Sequence, residues 1–467
     1  MEIRFIILIL YFFNISTCYY SVKLNKIYLP SLPNNNSNTE EENSTFYEHI
    51  QNSYNYNDLP MNYSELEIIN DSFTETYNLK LELYSASLYL GSNNQLFKLL
   101  LSTFDEYTTI ASINCNTCKV SNKYNSLLSN TSTYLGESGD ASIDLNIYSK
   151  KYQDQCIIPS YFIQDAKKLK KNLKLSNFNF KVIENDLKGF LNSNLTDGIL
   201  ALNYIDNSTE IPNNNLVIQL YKEGYISAPA FSIIITSSNI NRLYFGDIMK
   251  NEYVDQFLNS NDEINKGECS ILESENNWEC GINYVEYNAL KEENWSRNKK
   301  SSKSLVKFDL KENKLVIPDK YYLLIAVGYK IKTTSSGKRS YTETIYNKQC
   351  MIHSEGYISC TCQDLDDLGI VTFHFQGGQK LDIDLRDYAN YNENARFKCR
   401  LDVLLSFNDE FIIGLKGLNN TILSFDMEDK KIYFFHKKKA IGFTNWSLII
   451  TIIFVILLSI LSMSKEN

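Results

Sequence analysis

The sequence predicts an all-β body of about 350 residues, long enough for one two-lobed domain or two domains. Two observations carry that reading. Between residues 79 and 435 short apolar runs follow one another between turn clusters: residues 81–90 with alternation, Leu216-Val-Ile-Gln-Leu220, Phe231-Ser-Ile-Ile-Ile-Thr236, Ile370-Val-Thr-Phe-His-Phe375 and Ile412-Ile-Gly-Leu415. A period of two puts alternate side chains on one face of a strand. Helix-length periodic segments are few, residues 159–173 being one candidate. The second observation is composition: with 43% hydrophobic and 13% aromatic residues in 467, the chain can bury large cores. Short strands with few helices predict a sandwich or a barrel.

The two ends read differently from this body. Residues 1–18 form a secretory signal, with Arg4 for the charged start, the apolar run from Phe5 to Phe13, and Ser16-Thr-Cys18 as small residues for cleavage. Residues 19–78 are rich in Asn, Ser, Glu and Tyr, as in Pro33-Asn-Asn-Asn-Ser-Asn-Thr-Glu-Glu-Glu-Asn43. Such a stretch buries too little apolar surface to order itself and reads as an acidic spacer. Residues 446–463 carry no charge. At ~1.5 Å per residue they span about 27 Å, close to the hydrocarbon thickness of a bilayer. They predict a single transmembrane helix, with the body lumenal or extracellular and the tail Ser464-Lys-Glu-Asn467 cytosolic. Lys437-Lys-Lys439 then lies on the lumenal side, against the positive-inside bias, which a signal peptide overrides. The alternative is a GPI signal using Ala440 and Gly442. The net charge of −9 and pI near 5.2 give no basic face for nucleic acid.

Cysteine usage fits an oxidising compartment. Beyond Cys18 there are Cys115, Cys118, Cys156, Cys269, Cys280, Cys350, Cys360, Cys362 and Cys399, an odd number that leaves at least one thiol unpaired or intermolecular. Cys269 and Cys280 flank a short loop and are expected to pair. Sequons such as those at Asn35, Asn130 and Asn419 agree with the secretory reading.

The motif that identifies the body is Tyr84-Ser-Ala-Ser-Leu-Tyr-Leu-Gly-Ser-Asn-Asn-Gln-Leu-Phe-Lys-Leu-Leu-Leu-Ser102-Thr-Phe-Asp105. It resembles the first active-site strand of pepsin-like aspartic peptidases, Tyr-x-Gly-x-Ile-x-Ile-Gly-Thr-Pro-Pro-Gln-x-Phe-x-Leu-Leu-Ile followed by Asp-Thr-Gly-Ser. Gly91, Gln95, Phe97 and Leu99 to Leu101 fall at matching offsets. Six further segments resemble the family in order. They are Thr196-Asp-Gly-Ile-Leu-Ala-Leu202, Gln219-Leu-Tyr-Lys-Glu-Gly-Tyr-Ile-Ser-Ala-Pro-Ala-Phe-Ser232, Leu243-Tyr-Phe-Gly-Asp247, Trp278-Glu-Cys-Gly-Ile282, Val371-Thr-Phe-His-Phe-Gln-Gly-Gly-Gln-Lys-Leu381, and residues 411–434. The resemblance implies a bilobal pepsin-like fold, two β-barrel-like lobes (residues 79–255 and 256–436) meeting at a cleft, each lobe contributing one catalytic Asp.

The same resemblance locates what is missing. Ser102 stands where the first Asp is due, Thr103 is kept, and Phe104 replaces a glycine. In the second lobe Val306-Lys-Phe-Asp309-Leu-Lys-Glu-Asn-Lys-Leu-Val-Ile-Pro318 aligns with Ile-Val-Asp-Thr-Gly-Thr-Ser-Leu-x-x-Leu-Pro. Asp309 is retained, while Leu310 and Lys311 replace Thr and Gly. Family chemistry needs two carboxylates sharing one proton, one acting as base on a water and the other as acid toward the scissile carbonyl. A serine hydroxyl has no accessible ionisation with which to take the water's proton. Of the two threonines that cross-link the loops in the family, only Thr103 remains. Phe104 and Lys311, where glycine lets the loops approach, are expected to spread them or plug the cleft. Lys311 is expected to hold Asp309 ionised, and Asp105 to lie past the loop tip and face elsewhere.

Tyr134, in Thr133-Tyr-Leu-Gly-Glu-Ser-Gly139, resembles the tyrosine of the flap over the cleft, with Leu135 as an insertion. Cys115-Asn-Thr-Cys118 reads as a structural bridge or a link to Cys156 rather than a redox pair, since no βαβ pattern surrounds it. The resemblance implies a second-lobe bridge from Cys399 to Cys360 or Cys362, with Cys350 taking the other. His49, His353, His374 and His436 are scattered, so no metal or other cofactor is expected. No Gly-x-Ser-x-Gly elbow supports a serine nucleophile. The expectation is a membrane-anchored, non-catalytic homologue that holds a peptide or protein in the interlobe cleft or acts as a surface interaction module. An atypical aspartic endopeptidase is the alternative, and a structural coat component with a filled cleft is a third reading.

Overall fold

The computed structural model describes residues 19–29, 81–137, 147–164, 167–170, 172–186, 191, 195–204, 215–235, 241–246, 264–272, 277–287, 290–291, 304–318, 330–336, 339–345, 350–352, 358–360, 368–392, 398–406, 410–418 and 421–437. The expected signal segment, residues 1–18, and the expected membrane span, residues 446–463, lie outside these. Among the described residues no helix is long and apolar enough to cross a membrane.

Strands dominate, and three eight-stranded sheets hold most of them. The first-lobe sheet runs in the order Asn25–Leu29, Leu81–Leu90, Gln95–Ser102, Gly198–Ala201, Thr109–Ala111, Leu173–Asp186, Ile147–Ile158, Thr133–Glu137. Its central strand carries the alternation of the sequence into the burial pattern, with Phe97, Leu99 and Leu101 at 1% exposure or less. In the second lobe Leu305–Asp309 pairs parallel with Glu410–Gly414, as Gln95–Ser102 pairs parallel with Gly198–Ala201 in the first. Each lobe therefore ends its site strand beside a parallel neighbour, Ser102 opposite Ala201 and Asp309 opposite Gly414.

A third sheet joins the lobes. Ala230–Ile235 from the first pairs antiparallel with Thr421–Asp426 from the second. Ser232 and Ser424 face each other across it, their hydroxyls 2.7 Å apart, and the rings of Phe231 and Phe425 stack at 4.6 Å. Trp278, fully buried, packs edge-on against Tyr204, Phe231 and Phe425, and its indole N–H donates to the Leu202 carbonyl at 2.7 Å. The apolar core is continuous from one lobe to the other. The lobes are thus fixed by shared strands and a shared aromatic cluster.

Three local expectations are corrected. Residues 19–29 do not belong to the spacer: Tyr19–Lys23 lies between Arg242–Phe245 and Tyr161–Gln164 in the joining sheet, and Asn25–Leu29 pairs with Leu81–Leu90. Ser21, Val22 and Leu24 are buried, so this short run is ordered by the sheet edge it fills and not by its own composition. Within residues 159–173, Tyr161–Gln164 and Lys167–Lys170 are strands instead of a helix, because Tyr19–Lys23 offers a backbone partner to the first of them. Conversely, the run at Leu216 is helix Leu216–Lys222. The Asn215 side chain caps it by accepting from the amides of Val217 and Ile218, a start signal a reading of apolar runs alone overlooks.

Candidate functional site

The first site loop begins where Gln95–Ser102 leaves its sheet. The Ser102 carbonyl accepts from the amide of Leu202 at 2.7 Å, pinning the strand end. Beyond it the chain folds back on the serine side chain. Ser102 Oγ accepts from the amides of Phe104 (3.2 Å) and Asp105 (3.1 Å) and donates to Asp105 Oδ2 at 2.5 Å. One donated and two accepted bonds use the full capacity of a hydroxyl. Ser102 is fully buried and is a structural hub of this loop.

Asp105 is therefore inside the site, against the expectation that it faces away. The reason is local: a serine followed by a tight turn draws the side chain three residues on back over its own hydroxyl.

The second loop begins at the end of Leu305–Asp309. Asp309 Oδ1 accepts from the Lys311 amide at 2.8 Å, an Asx-type turn that reverses the chain. Leu310 is fully buried in the core, so the position that carries a cross-linking hydroxyl in the resembled family is apolar here. Glu312 turns its carboxylate back to the amides of Asn313 and Lys314. At Gly414 a Cβ would lie 2.6 Å from the carbonyl oxygens of Glu312 and Lys314, so only glycine lets the parallel strand approach this loop.

At the site, two hydrogen bonds cross between the loops of the two lobes. The buried Thr103 hydroxyl donates to the Phe308 carbonyl at 2.5 Å. The Lys311 ammonium donates to Asp105 Oδ2 at 2.6 Å, onto the oxygen that also accepts from Ser102. The loops are not spread, although Phe104 and Lys311 stand where glycines were expected. Phe104 is half-buried and takes the Lys307 ammonium 5.9 Å from its ring centroid. Lys307 itself bridges Glu279 (3.0 Å) and Glu410 (3.1 Å). Burial pulls its ammonium down, and the two glutamates more than offset that and raise it. Positions 307 and 309 share one face of their strand, so Lys307, Phe104, Asp309, Lys311 and Asp105 form one cluster.

Lys311 does not hold the acidity range of Asp309 down as expected. Its carboxyl is pushed above the ordinary range, first by burial and then by the negative charges of Glu312 and Asp105. The Lys311 amide and ammonium pull it down without prevailing. Lys311 gives its ammonium to the other carboxylate and only its backbone N–H to Asp309.

Tyr134 makes its ring contact within the first lobe. It lies on the edge strand Thr133–Glu137, half exposed, its ring tilted on Tyr152 at 5.5 Å. The pairing slips between Tyr134 and Gly136, so Leu135 is the extra residue of a bulge, and Gly136 takes φ +120°. Beneath the hairpin Asp154 is fully buried and accepts from Tyr124 (2.6 Å), Ser129 (2.9 Å), Thr131 (2.5 Å) and the Gln155 amide (2.8 Å).

The cysteines resolve in part. Cys115 pairs with Cys118 and Cys269 with Cys280. Cys360 and Cys399 are each disulfide-bonded, on adjacent strands with Cys350 on the next strand beyond Cys360. Cys362 lies outside the described residues. Cys156 is a free, fully buried thiol whose burial drives it far up, which removes it from the candidates for a bridge. Among the described residues no three His, Cys, Asp or Glu side chains gather as metal ligands.

The sequence reading misplaced Asp105 and did not single out Lys307, and for Asp105 a signal existed. Against the loop Asp-Thr-Gly-Ser of the resembled family, Ser102-Thr-Phe-Asp105 holds the same two polar residue types at exchanged ends. Position-by-position reading registers a loss; reading the four residues as a unit registers an exchange.

Comparison with known proteins agrees with the fold. The family model described as "Eukaryotic aspartyl protease" matches residues 83–436. No curated protein matches the chain.

Proposed function

Because the chain belongs to the eukaryotic aspartyl protease family, we propose that it is a member whose hydrolytic chemistry has been removed and whose interlobe cleft holds a peptide or protein segment without cutting it. The observation that carries this reading is the Lys311 ammonium, 2.6 Å from Asp105 Oδ2. Hydrolysis requires a carboxylate free to take a proton from water while a second gives one to the carbonyl. Ser102 cannot take that proton, and the Asp105 oxygen nearest to it is committed to two donors, one of them charged. An ammonium ion-paired in this way is a poor acid, so neither half of the proton relay is supplied. The lobes, the joining sheet and the Thr103 cross-link remain, which is what a binding cleft needs.

A second reading, an atypical aspartic endopeptidase, is favoured by one observation: Asp105 supplies a carboxylate on the first-lobe side, close enough to Asp309 to raise it. The signal segment and residues 446–463 support a secretory-pathway protein anchored by one span, with the body lumenal or extracellular.

The two readings separate in one experiment. Full-length protein in detergent is incubated with a mixed peptide library from about pH 3 to 7, across the carboxylate range. A transition-state-analogue inhibitor of aspartic peptidases is included in parallel. Capture of peptides without cleavage is the expected result. Inhibitable turnover would replace the binding reading by the enzymatic one.

A further inference from the structure

Ser102, Asp105, Asp309 and Lys311 together have a charge arithmetic that neither loop has alone. Asp105 and Asp309 bring two carboxylates to the meeting point of the lobes, and Lys311 brings one ammonium. The sum is one net negative charge. Two carboxylates sharing a proton carry the same net charge. We propose that Asp105 is the second carboxylate of this site, displaced three residues along the loop by the exchange with Ser102, and that the Lys311 ammonium takes the place of the shared proton.

The geometry supports each half of this. Ser102 Oγ collects the amides of Phe104 and Asp105 at the root of the loop, and the carboxylate of Asp105 is set directly beyond it, 2.5 Å away. Lys311 reaches that carboxylate across the lobes while its own amide holds Asp309. The other charged groups around the cluster are spoken for. Glu312 is engaged by the amides of Asn313 and Lys314, and Lys307 is held by Glu279 and Glu410. Asp105 and Lys311 are about three-quarters covered, with side-chain exposures of 23% and 27%, so their pairing is only partly screened by water.

The consequence concerns when the cleft can work, and it rests on the binding reading above. A proton shared by two carboxylates is held in acid and lost toward neutrality. A lysine ammonium keeps its charge through neutrality. A cleft built this way keeps one net negative charge toward neutrality, where a proton-sharing pair gains a second; in acid the raised carboxyl of Asp309 takes up a proton and that charge is lost. The segment it takes is therefore expected to be held by backbone and hydroxyl donors facing one net negative charge, without requiring acid.

The test uses folding stability, so it does not depend on any ligand. Full-length wild-type protein, K311M, K311R and the double variants K311M/D105N and K311M/D309N are melted between about pH 4 and 8. On this proposal, removing the ammonium leaves Asp105 and Asp309 to share a proton, which the folded state then holds more tightly than the unfolded chain. Stability tied to such a raised carboxyl is present in acid and lost as pH rises through the folded value. K311M is expected to match wild type in acid and to fall several degrees below it at neutral pH. K311R should abolish the gap, and D105N in the K311M background should remove its pH dependence. An ordinary Lys311–Asp105 ion pair would also give K311M a pH-dependent deficit, so K311M/D309N decides: loss of the pH dependence in that variant supports the shared site. A K311M deficit independent of pH, pH dependence that persists in K311M/D309N, or a deficit that survives D105N overturns the proposal and leaves Lys311 as an ordinary interlobe ion pair. Peptide capture with a failed stability test would retain the binding reading and discard this one.

Discussion

Thr103 and Phe308 lie 205 residues apart in the chain, and the hydroxyl of one donates to the carbonyl of the other at 2.5 Å. Both residues are buried, and each immediately adjoins the residue at the catalytic position of its lobe, Ser102 or Asp309. The bond therefore ties together the two strand ends that define the site. In the resembled family a matching threonine returns the favour; here that place is Leu310, in the core.

Thr103→Val keeps the shape and leaves the Phe308 carbonyl without its donor. A buried acceptor stranded in this way costs about 1–3 kcal/mol, whereas Thr103→Ser, which keeps the hydroxyl, should cost less than half as much. Urea titration of both variants measures the difference. Equal losses would mean that the packing of the methyl group, not the bond, joins the loops.

Asp309 gives a prediction about acidity. Its folded carboxyl is raised, chiefly by burial. For a raised carboxyl the stabilising contribution is present below its unfolded pKa and disappears as pH climbs through the folded value, because ionisation is harder in the folded state. Asp309→Asn never ionises and still offers an oxygen to the Lys311 amide. The variant should melt higher than wild type at neutral pH, with the advantage shrinking on acidification through the carboxylate range. An advantage that grows in acid instead would show that the folded protein prefers Asp309 charged.

Much of this fold is legible in the chain, because strand faces and family motifs are both local patterns. Alternation at residues 81–90 and the apolar run at Leu99 to Leu101 are strands for the reason the sequence suggests. What is not legible depends on partners far away in sequence. Tyr161–Gln164 has the periodicity of a helix and becomes a strand only because Tyr19–Lys23 lies beside it. The site divides the same way. Ser102, Thr103 and Asp309 are read from motifs, while the return of Asp105 depends on a turn around Ser102 Oγ, and the choice of Lys311 for Asp105 over Asp309 depends on where the other lobe sits.

Cys156 is a buried free thiol on Ile147–Ile158, opposite Leu175 and Leu90. Burial in apolar surroundings raises the thiol and suppresses the reactive thiolate. A thiol reagent should label it only after denaturant is added, and Cys156→Ala should leave the oligomeric state unchanged on non-reducing gels. Rapid labelling of the native protein at Cys156 would contradict the burial and return the residue to the list of intermolecular links.

The last prediction concerns the base of the hairpin that carries Tyr134. A fully buried carboxylate is tolerated only when its oxygens are met by donors, and Asp154 has four, from Tyr124, Ser129, Thr131 and the Gln155 amide. Ser129 and Thr131 lie in the segment that leads into Thr133–Glu137, so the carboxylate fastens that segment to the sheet. Asp154→Ala leaves several buried donors unmet and should cost roughly 3–5 kcal/mol, at the upper end for a single substitution. Asp154→Asn keeps one acceptor oxygen but turns the other into a donor facing donors, so it should fall between alanine and wild type. Hydrogen exchange adds a local readout: amides of residues 129–134 should lose protection in Asp154→Asn under conditions where the Gln95–Ser102 strand keeps its own. If protection falls uniformly across both regions, Asp154 supports the whole lobe and does not specifically anchor the hairpin.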